Sequence, residues 1–204
     1  GDTSAPGAGA AYVFLRSGIG WSQEAYVKAS NTAAGDQFGG AVALSTDTLA
    51  VGAIYETGTG KGVDADPQMR TTTFTGAAYV YHRSPTWMPQ AYLKAEHPTG
   101  LGCFGQSLAL SGDLLAVGAI FDGPGLGPGA AALFGAAGNH WVPAGRIVAS
   151  NAETSDQYGT SVALTASTLA VGAPLEASAA TGVNPPGGQA DNSADQAGAI
   201  YIYR

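Results

Sequence analysis

One nineteen-residue pattern constrains this chain more than any other feature, because it occurs three times. Its first copy, residues 35–53, places Phe38-Gly39 ahead of Val51-Gly52-Ala53; the second, residues 101–119, places Phe104-Gly105 ahead of Val117-Gly118-Ala119; the third, residues 155–173, places Tyr158-Gly159 ahead of Val171-Gly172-Ala173. In every copy the aromatic residue precedes the glycine of Val-Gly-Ala by fourteen positions. Self-similarity of this kind marks a repeat architecture, in which each unit buries its apolar surface against its neighbours.

The segments around the pattern repeat in the same phase. Gly9-Ala-Ala-Tyr-Val-Phe, Gly76-Ala-Ala-Tyr-Val-Tyr, Gly129-Ala-Ala-Ala-Leu-Phe and Gly198-Ala-Ile-Tyr-Ile-Tyr start at separations of 67, 53 and 69 residues. Trp21, Trp87 and Trp141 follow the first three of these glycines by 12, 11 and 12 positions. Each stretch is short, rich in β formers and bounded by Gly, Ser, Asn or Asp, so each cassette reads as four strands joined by turns. The chain therefore divides into a lead-in expected to fray (1–8), three repeats (9–75, 76–128 and 129–197) and a closing strand (198–204). Most of the length variation falls between Val-Gly-Ala and the next opening glycine, at residues 54–75, 120–128 and 174–197. Insertions gathered at one phase lie on one face of the molecule, where function usually sits.

Charged residues make up only 11% of the chain against 31 glycines, too few for the polar faces of a helical bundle. Four antiparallel strands per repeat with no helical periodicity predict an all-β fold, a β-propeller of four-stranded blades with about three blades in this chain. Phe38, Phe104 and Tyr158 are expected to fill the space between blades, and Ala41, Ala43 and Gly52 to let inner strands approach the axis. A net charge of −7 with eight scattered basic residues excludes a phosphate-binding patch, so nucleic acid is not expected as a partner. No apolar run approaches ~18 residues, and membrane insertion is not expected. The chain opens inside a repeat without a signal-peptide pattern, as expected of a piece of a longer protein.

Phe38-Gly39 with Val51-Gly52-Ala53, and its two counterparts, resemble FG-GAP repeats, the blades of the integrin α-subunit propeller and of many bacterial surface proteins. The bacterial variety is the closer resemblance, with its opening Gly-Ala-Ala-Tyr-Val-Phe and its short turn before Leu-Ala-Val-Gly-Ala. It covers nearly the whole chain and implies an extracellular or surface-attached module. The function it implies is non-catalytic recognition or cell adhesion, with a protein or other surface partner bound through the long loops. A lectin-like propeller binding glycans through Trp, Tyr, Asp and Asn is the alternative.

Integrin-type blades often carry a calcium loop, but the turns at 45–47, 111–113 and 165–167 are too short for six or more oxygen ligands. The insertions hold a second set: Glu56, Asp64 and Asp66 in the first, matched by Glu176, Asn184, Asp191, Asn192 and Asp195 in the third. Of these, Glu56, Asp64, Asp66, Glu176 and Asp191 are the candidate calcium ligands, against the competing reading of a solvated loop whose acids cap their own turns. Apart from these, no metal or cofactor is expected. Cys103 has no cysteine partner and reads as a buried thiol. His82, His97 and His140 lie at different phases of the repeat, and Gly123-Pro-Gly-Leu-Gly-Pro-Gly129 lacks the lysine and helix of a phosphate loop. With no nucleophile motif, an enzyme is not expected.

Propellers typically have about 4–8 blades, and three cannot readily close a ring. Two completions are expected: a homodimer in which a second copy finishes the ring, or further blades on a longer chain.

Overall fold

The computed structural model describes residues 4–185 and 187–204. Thirteen strands occupy them: β1 Ala11–Ser17, β2 Gly20–Val27, β3 Phe38–Leu44, β4 Thr48–Ala53, β5 Ala77–Arg83, β6 Trp87–Leu93, β7 Phe104–Ser111, β8 Leu114–Ala119, β9 Ala130–Ala137, β10 His140–Ile147, β11 Ser161–Leu164, β12 Leu169–Ala173 and β13 Ala199–Tyr203. A single 3-10 turn, Gly188–Ala190, is the one helical element among the described residues.

Hydrogen bonding sorts the strands into four antiparallel sheets in chain order. Sheet I is β1-β2, sheet II β3-β4-β5-β6, sheet III β7-β8-β9-β10 and sheet IV β11-β12-β13. Sheets II and III are complete four-stranded blades, so the all-β, propeller-type expectation holds. The sheets are out of phase with the repeats of the sequence. Each takes its first two strands from one cassette and its next two from the following one, because β4 pairs with β5 and β8 with β9 across the insertions. Sheet I holds only the third and fourth strand positions of a blade; sheet IV holds only the first three.

Three apolar cores lie between successive sheets. Ala11, Val13, Val27 and Ala29 of sheet I and the segment after it meet Phe38, Tyr79 and Tyr81 of sheet II. Ala50, Ala78, Val80 and Leu93 of sheet II meet Phe104 and Phe134 of sheet III. Ala116, Ala131 and Leu133 of sheet III meet Tyr201 and Tyr203 of sheet IV and Tyr158 on the segment leading into it. Every blade thus turns an aromatic face toward the blade before it and an aliphatic face toward the blade after it. The aromatic rings meet edge-on: Phe38 to Tyr79 at 5.3 Å, Phe104 to Phe134 at 6.1 Å, and Tyr158 to Tyr201 at 5.4 Å between centroids. The indoles tie the outer strands, Trp87 donating to Glu24 Oε2 (3.0 Å) and Trp141 to Gln90 Oε1 (3.0 Å). Burial also pushes the Cys103 thiol up, consistent with an inert packing residue.

Near the axis the backbones touch. A Cβ on Gly52 would lie 2.1 Å from Gly105 O, and one on Gly118 2.0 Å from Gly159 O. The glycine after each aromatic meets the same constraint, since a Cβ on Gly39, Gly105 or Gly159 would fall 2.4, 2.4 or 2.5 Å from the carbonyl oxygen of Ala10, Ala77 or Ala130. The motif glycines are there for this approach.

The lead-in does not fray where it is described. Residues 1–3 lie outside the described residues, but Gly35 N–H donates to Pro6 O (3.0 Å), Gln37 N–H to Gly7 O (3.1 Å) and Phe38 N–H to Ala8 O (2.9 Å). The segment is held because its carbonyls accept from the backbone entering β3.

Up-and-down strands separate the two ends of each blade. The turns at 45–47, 84–86, 112–113 and 138–139 close one end, whereas the long connections 54–76, 94–103, 120–129 and 174–198 all emerge at the other.

The close approach makes a prediction. Gly105→Ala should cost several-fold more unfolding free energy than Gly138→Ala, as measured by urea denaturation. Both positions have positive φ (92° and 65°), which costs about 1–2 kcal/mol for alanine, but only Gly105 has backbone in the way. Equal losses would refute the backbone contact as the reason for the motif.

Candidate recognition face and its charge clamp

The end that carries the long connections is anchored by a buried acid three residues beyond each Val-Gly-Ala: Glu56, Asp122 and Glu176. The turn after β4 brings Glu56 beneath the first insertion. Its Oε1 accepts from the Asn31 side-chain amide (3.0 Å) and Gly58 N–H (2.8 Å); its Oε2 accepts from Lys94 Nζ (2.7 Å) and the Tyr92 hydroxyl (3.0 Å). Glu56 and Lys94 are both fully buried. Arg70, from the insertion itself, bonds Asp36 and lies 3.4 Å from Glu56 Oε1. The Tyr79 hydroxyl completes the cluster by donating to Asn31 Oδ1 (2.5 Å). The clamp joins the end of the fourth strand, the entry to the first strand and the insertion.

Electrostatics follow from this packing. Burial pushes the Glu56 carboxyl up, but the Lys94 ammonium and the bonds from Lys94, Gly58 and Tyr92 outweigh it and leave it below the usual carboxylate range. Asp36 moves upward, because its desolvation exceeds the pull of Arg70.

Repeat three rebuilds half of this clamp. Asn151 donates to Glu176 Oε1 (2.9 Å), Ser178 N–H to Glu176 Oε2 (3.1 Å), and the Tyr201 hydroxyl to Asn151 Oδ1 (2.5 Å). Asp156 stands where Asp36 does and accepts from Glu153 N–H (2.8 Å). No Lys or Arg reaches either acid among the described residues. Burial, with the charges of Glu153 and Glu176, raises Asp156; burial and the Glu176 charge raise the Tyr201 hydroxyl to about 12.

Repeat two keeps only the acid and a base, with Arg146 Nε donating to Asp122 Oδ2 (2.8 Å). Gly102 and Ala132 replace the aspartate and tyrosine, and a cavity of about 200 Å³ lies between Phe104, Phe134, Ala132 and the Arg146–Asp122 pair.

The five candidate calcium ligands are not brought together. Glu56 is committed to Lys94, and Glu176 to Asn151 and Ser178. Asp64 Oδ1 accepts from Tyr92 N–H (2.9 Å), Asp66 Oδ1 from Gln68 N–H (2.9 Å) and Asp191 Oδ1 from Ser193 N–H (3.0 Å). Among the described residues no group of three or more His, Cys, Asp or Glu side chains converges as a metal cage. Asp66 and Asp191 instead cap their own turns. Sequence reasoning reached Glu56 and Glu176 but missed Asn31, Asp36, Arg70, Tyr79 and Lys94. The recurrence of Asn31 and Asp36 as Asn151 and Asp156, at unchanged spacing from the motif, was the available signal.

The Glu56–Lys94 pair makes two predictions. Lys94→Met should destabilise the fold by about 3–5 kcal/mol in urea denaturation, since it strands a buried carboxylate, and adding Glu56→Gln should recover most of the loss. A loss below about 1 kcal/mol would mean that the pair is not a buried ion pair. Because the folded value of Glu56 is depressed, its contribution is complete above its unfolded value (about 4.3) and disappears as pH falls through the folded value. The wild-type melting temperature should therefore fall more steeply on acidification below about pH 5 than that of Lys94→Met/Glu56→Gln.

No helix among the described residues is long and apolar enough to cross a membrane. A comparison with curated proteins finds no match. The model of the FG-GAP repeat matches residues 21–81, 87–134 and 141–203, each match running from the tryptophan strand through the aromatic-Gly and Val-Gly-Ala strands. With these matches over most of its length and two complete four-stranded blades, the chain belongs to the FG-GAP repeat family.

Proposed function

We propose that the protein is a non-catalytic extracellular recognition module of the adhesion type, binding a protein partner through the long-connection end of its blades. The observation that carries this reading is the distribution of exposed apolar side chains on the connections. Met69 and Phe74 on the first insertion, Leu101 before β7, Leu126 on the second insertion and Val183 on the third all stand exposed at that end. Of the large hydrophobic side chains, the turns of the opposite end expose Ile19. Apolar anchors on polar loops, held over a rigid base, are what a protein interface uses for its few energetic contacts. The base here is the clamp, whose charges are spent on one another rather than presented to a substrate.

Two tryptophans argue against the lectin alternative, since Trp87 and Trp141 bond the neighbouring blade instead of offering a stacking platform. The test is to probe labelled protein against a display library of extracellular protein domains and against a glycan array. Saturable binding to a protein, weakened about tenfold or more by combined Met69→Ser, Phe74→Ser and Leu126→Ser with the melting temperature unchanged, is the expected outcome. Binding confined to one sugar class and competed by the free sugar would replace this reading with the lectin one.

A further inference from the structure

The three cores between blades follow one plan, and the middle one lacks a ring. In the first, Tyr79 on β5 lies edge-on to Phe38, 5.3 Å between centroids, and its hydroxyl donates to Asn31. In the third, Tyr201 on β13 holds the same position against Tyr158 at 5.4 Å and donates to Asn151. Both tyrosines stand three positions after the opening glycine of their cassette, and the residue at that place in the middle core is Ala132. Its cross-strand partner differs as well: Tyr79 pairs with Tyr92, whereas Ala132 pairs with Arg146.

The cavity of about 200 Å³ lies at this place. Its lining matches the surroundings of Tyr79 position for position: Ala95, Phe104, Ala119, Ala130 and Phe134 stand where Ala29, Phe38, Ala53, Ala77 and Tyr81 pack with that ring. All of these lining residues are buried and apolar. Glu96, Pro143, Gly145 and Arg146 are exposed and mark the mouth. An apolar cavity of about 150 Å³ holds one benzene, whereas a drug-sized ligand takes about 300–1,000 Å³, so the space suits a single ring. Polar groups stand beside it. Arg146 gives its Nε to Asp122 (2.8 Å), and its terminal nitrogens carry no bond among the described residues. Asp122 and Glu96 set two carboxylates against this one guanidinium, which disfavours an anionic ring and suits a neutral group that both donates and accepts, such as a phenol hydroxyl.

We propose that the cavity is a binding site for one phenolic ring supplied from outside the chain, seated edge-on to Phe104 as Tyr79 is to Phe38, with its hydroxyl at the Arg146–Asp122 pair. The ligand thus takes the part that the first and third cores give to a residue of their own. This ring chemistry is offered by a free phenol and by a tyrosyl side chain of a protein partner; only the second source rests on the recognition reading above.

Titration of the whole chain with p-cresol, followed by calorimetry and by the NMR methyl signal of Ala132, should show saturable binding of one molecule per chain. 4-Methylbenzoate, close in size but anionic, should bind about tenfold more weakly or worse. Ala132→Val should lower the p-cresol affinity, and Ala132→Tyr, which restores the residue of the other two cores, should abolish binding without lowering the melting temperature. The valine variant carries the comparison if the tyrosine variant does not fold. N-acetyl-tyrosine amide separates the sources: binding as tight as that of p-cresol assigns the site to a tyrosyl side chain, and absence of binding assigns it to a free phenol. No saturable p-cresol binding to the wild type overturns the proposal, as does binding that both variants leave unchanged. 4-Methylbenzoate binding as tightly as p-cresol overturns the assigned hydroxyl contact. Because p-cresol needs no protein partner, this result stands apart from the outcome of the domain and glycan screens.

Discussion

Everything in this fold depends on how closely the inner strands of neighbouring blades approach. At Gly52 against Gly105, and at Gly118 against Gly159, backbone lies on backbone with no room for a methyl group. The first strands β3, β7 and β11 lie side by side there, while the outer strands β6 and β10 barely touch. A stack that is tight on one side and open on the other must be wedged. Phe38, Phe104 and Tyr158, joined by Tyr79, Phe134 and Tyr201 from the third strands, supply the wedge. Removing one ring would open a void against the preceding blade, and deletions of this kind cost about 3–5 kcal/mol. Glycine sets the closeness of the blades and the aromatic residues set their splay, which is why the two residue types occur as an adjacent pair.

This part of the structure was legible in the sequence because it is periodic. Phe38, Phe104 and Tyr158 could be compared with one another, and so could the short turns and the Trp positions. The phase of the blades was not legible. Similarity between segments permits a cut at any point of the period, and the cut at Gly76 is as regular as one at Phe38. Only hydrogen bonding, β4 to β5 across twenty-odd residues of insertion, shows that a blade starts at the aromatic. The bonds that hold residues 5–8 were hidden for a different reason: a run of Gly, Ala and Pro carries no side-chain signal, and its pairing with the entry to β3 is made by backbone alone.

The charge clamp shows a further limit of reading acids as ligands. Asp64, Asp66 and Asp191 have the composition of a calcium loop, and each is spent on a backbone N–H close to it in space. Glu56 has the burial expected of a ligand, but the cations that meet it come from Lys94 and Arg70, 38 and 14 positions away. Carboxylates can be counted from a sequence, but whether a metal or a distant ammonium balances them depends on strand pairing. The comparison of repeats is more informative than any single one. Repeat two shrinks the acid to Asp122 and takes its base from Arg146, two positions earlier than the lysine phase, so the pairing survives a change of both partners.

The clamp also explains how blades that share so little covalent structure act together. The acid sits just beyond the second strand and the base at or near the end of the fourth, so each ion pair closes a blade whose halves come from different sequence repeats. In both complete blades a base that meets the acid, Lys94 or Arg146, lies in the repeat that follows. Stability in such an array resides in nearest-neighbour terms rather than in the units. Burial makes the coupling strong, because removing the base from a desolvated carboxylate costs far more than removing it from an exposed one. The same geometry therefore ties one repeat to the next in each of the two complete blades.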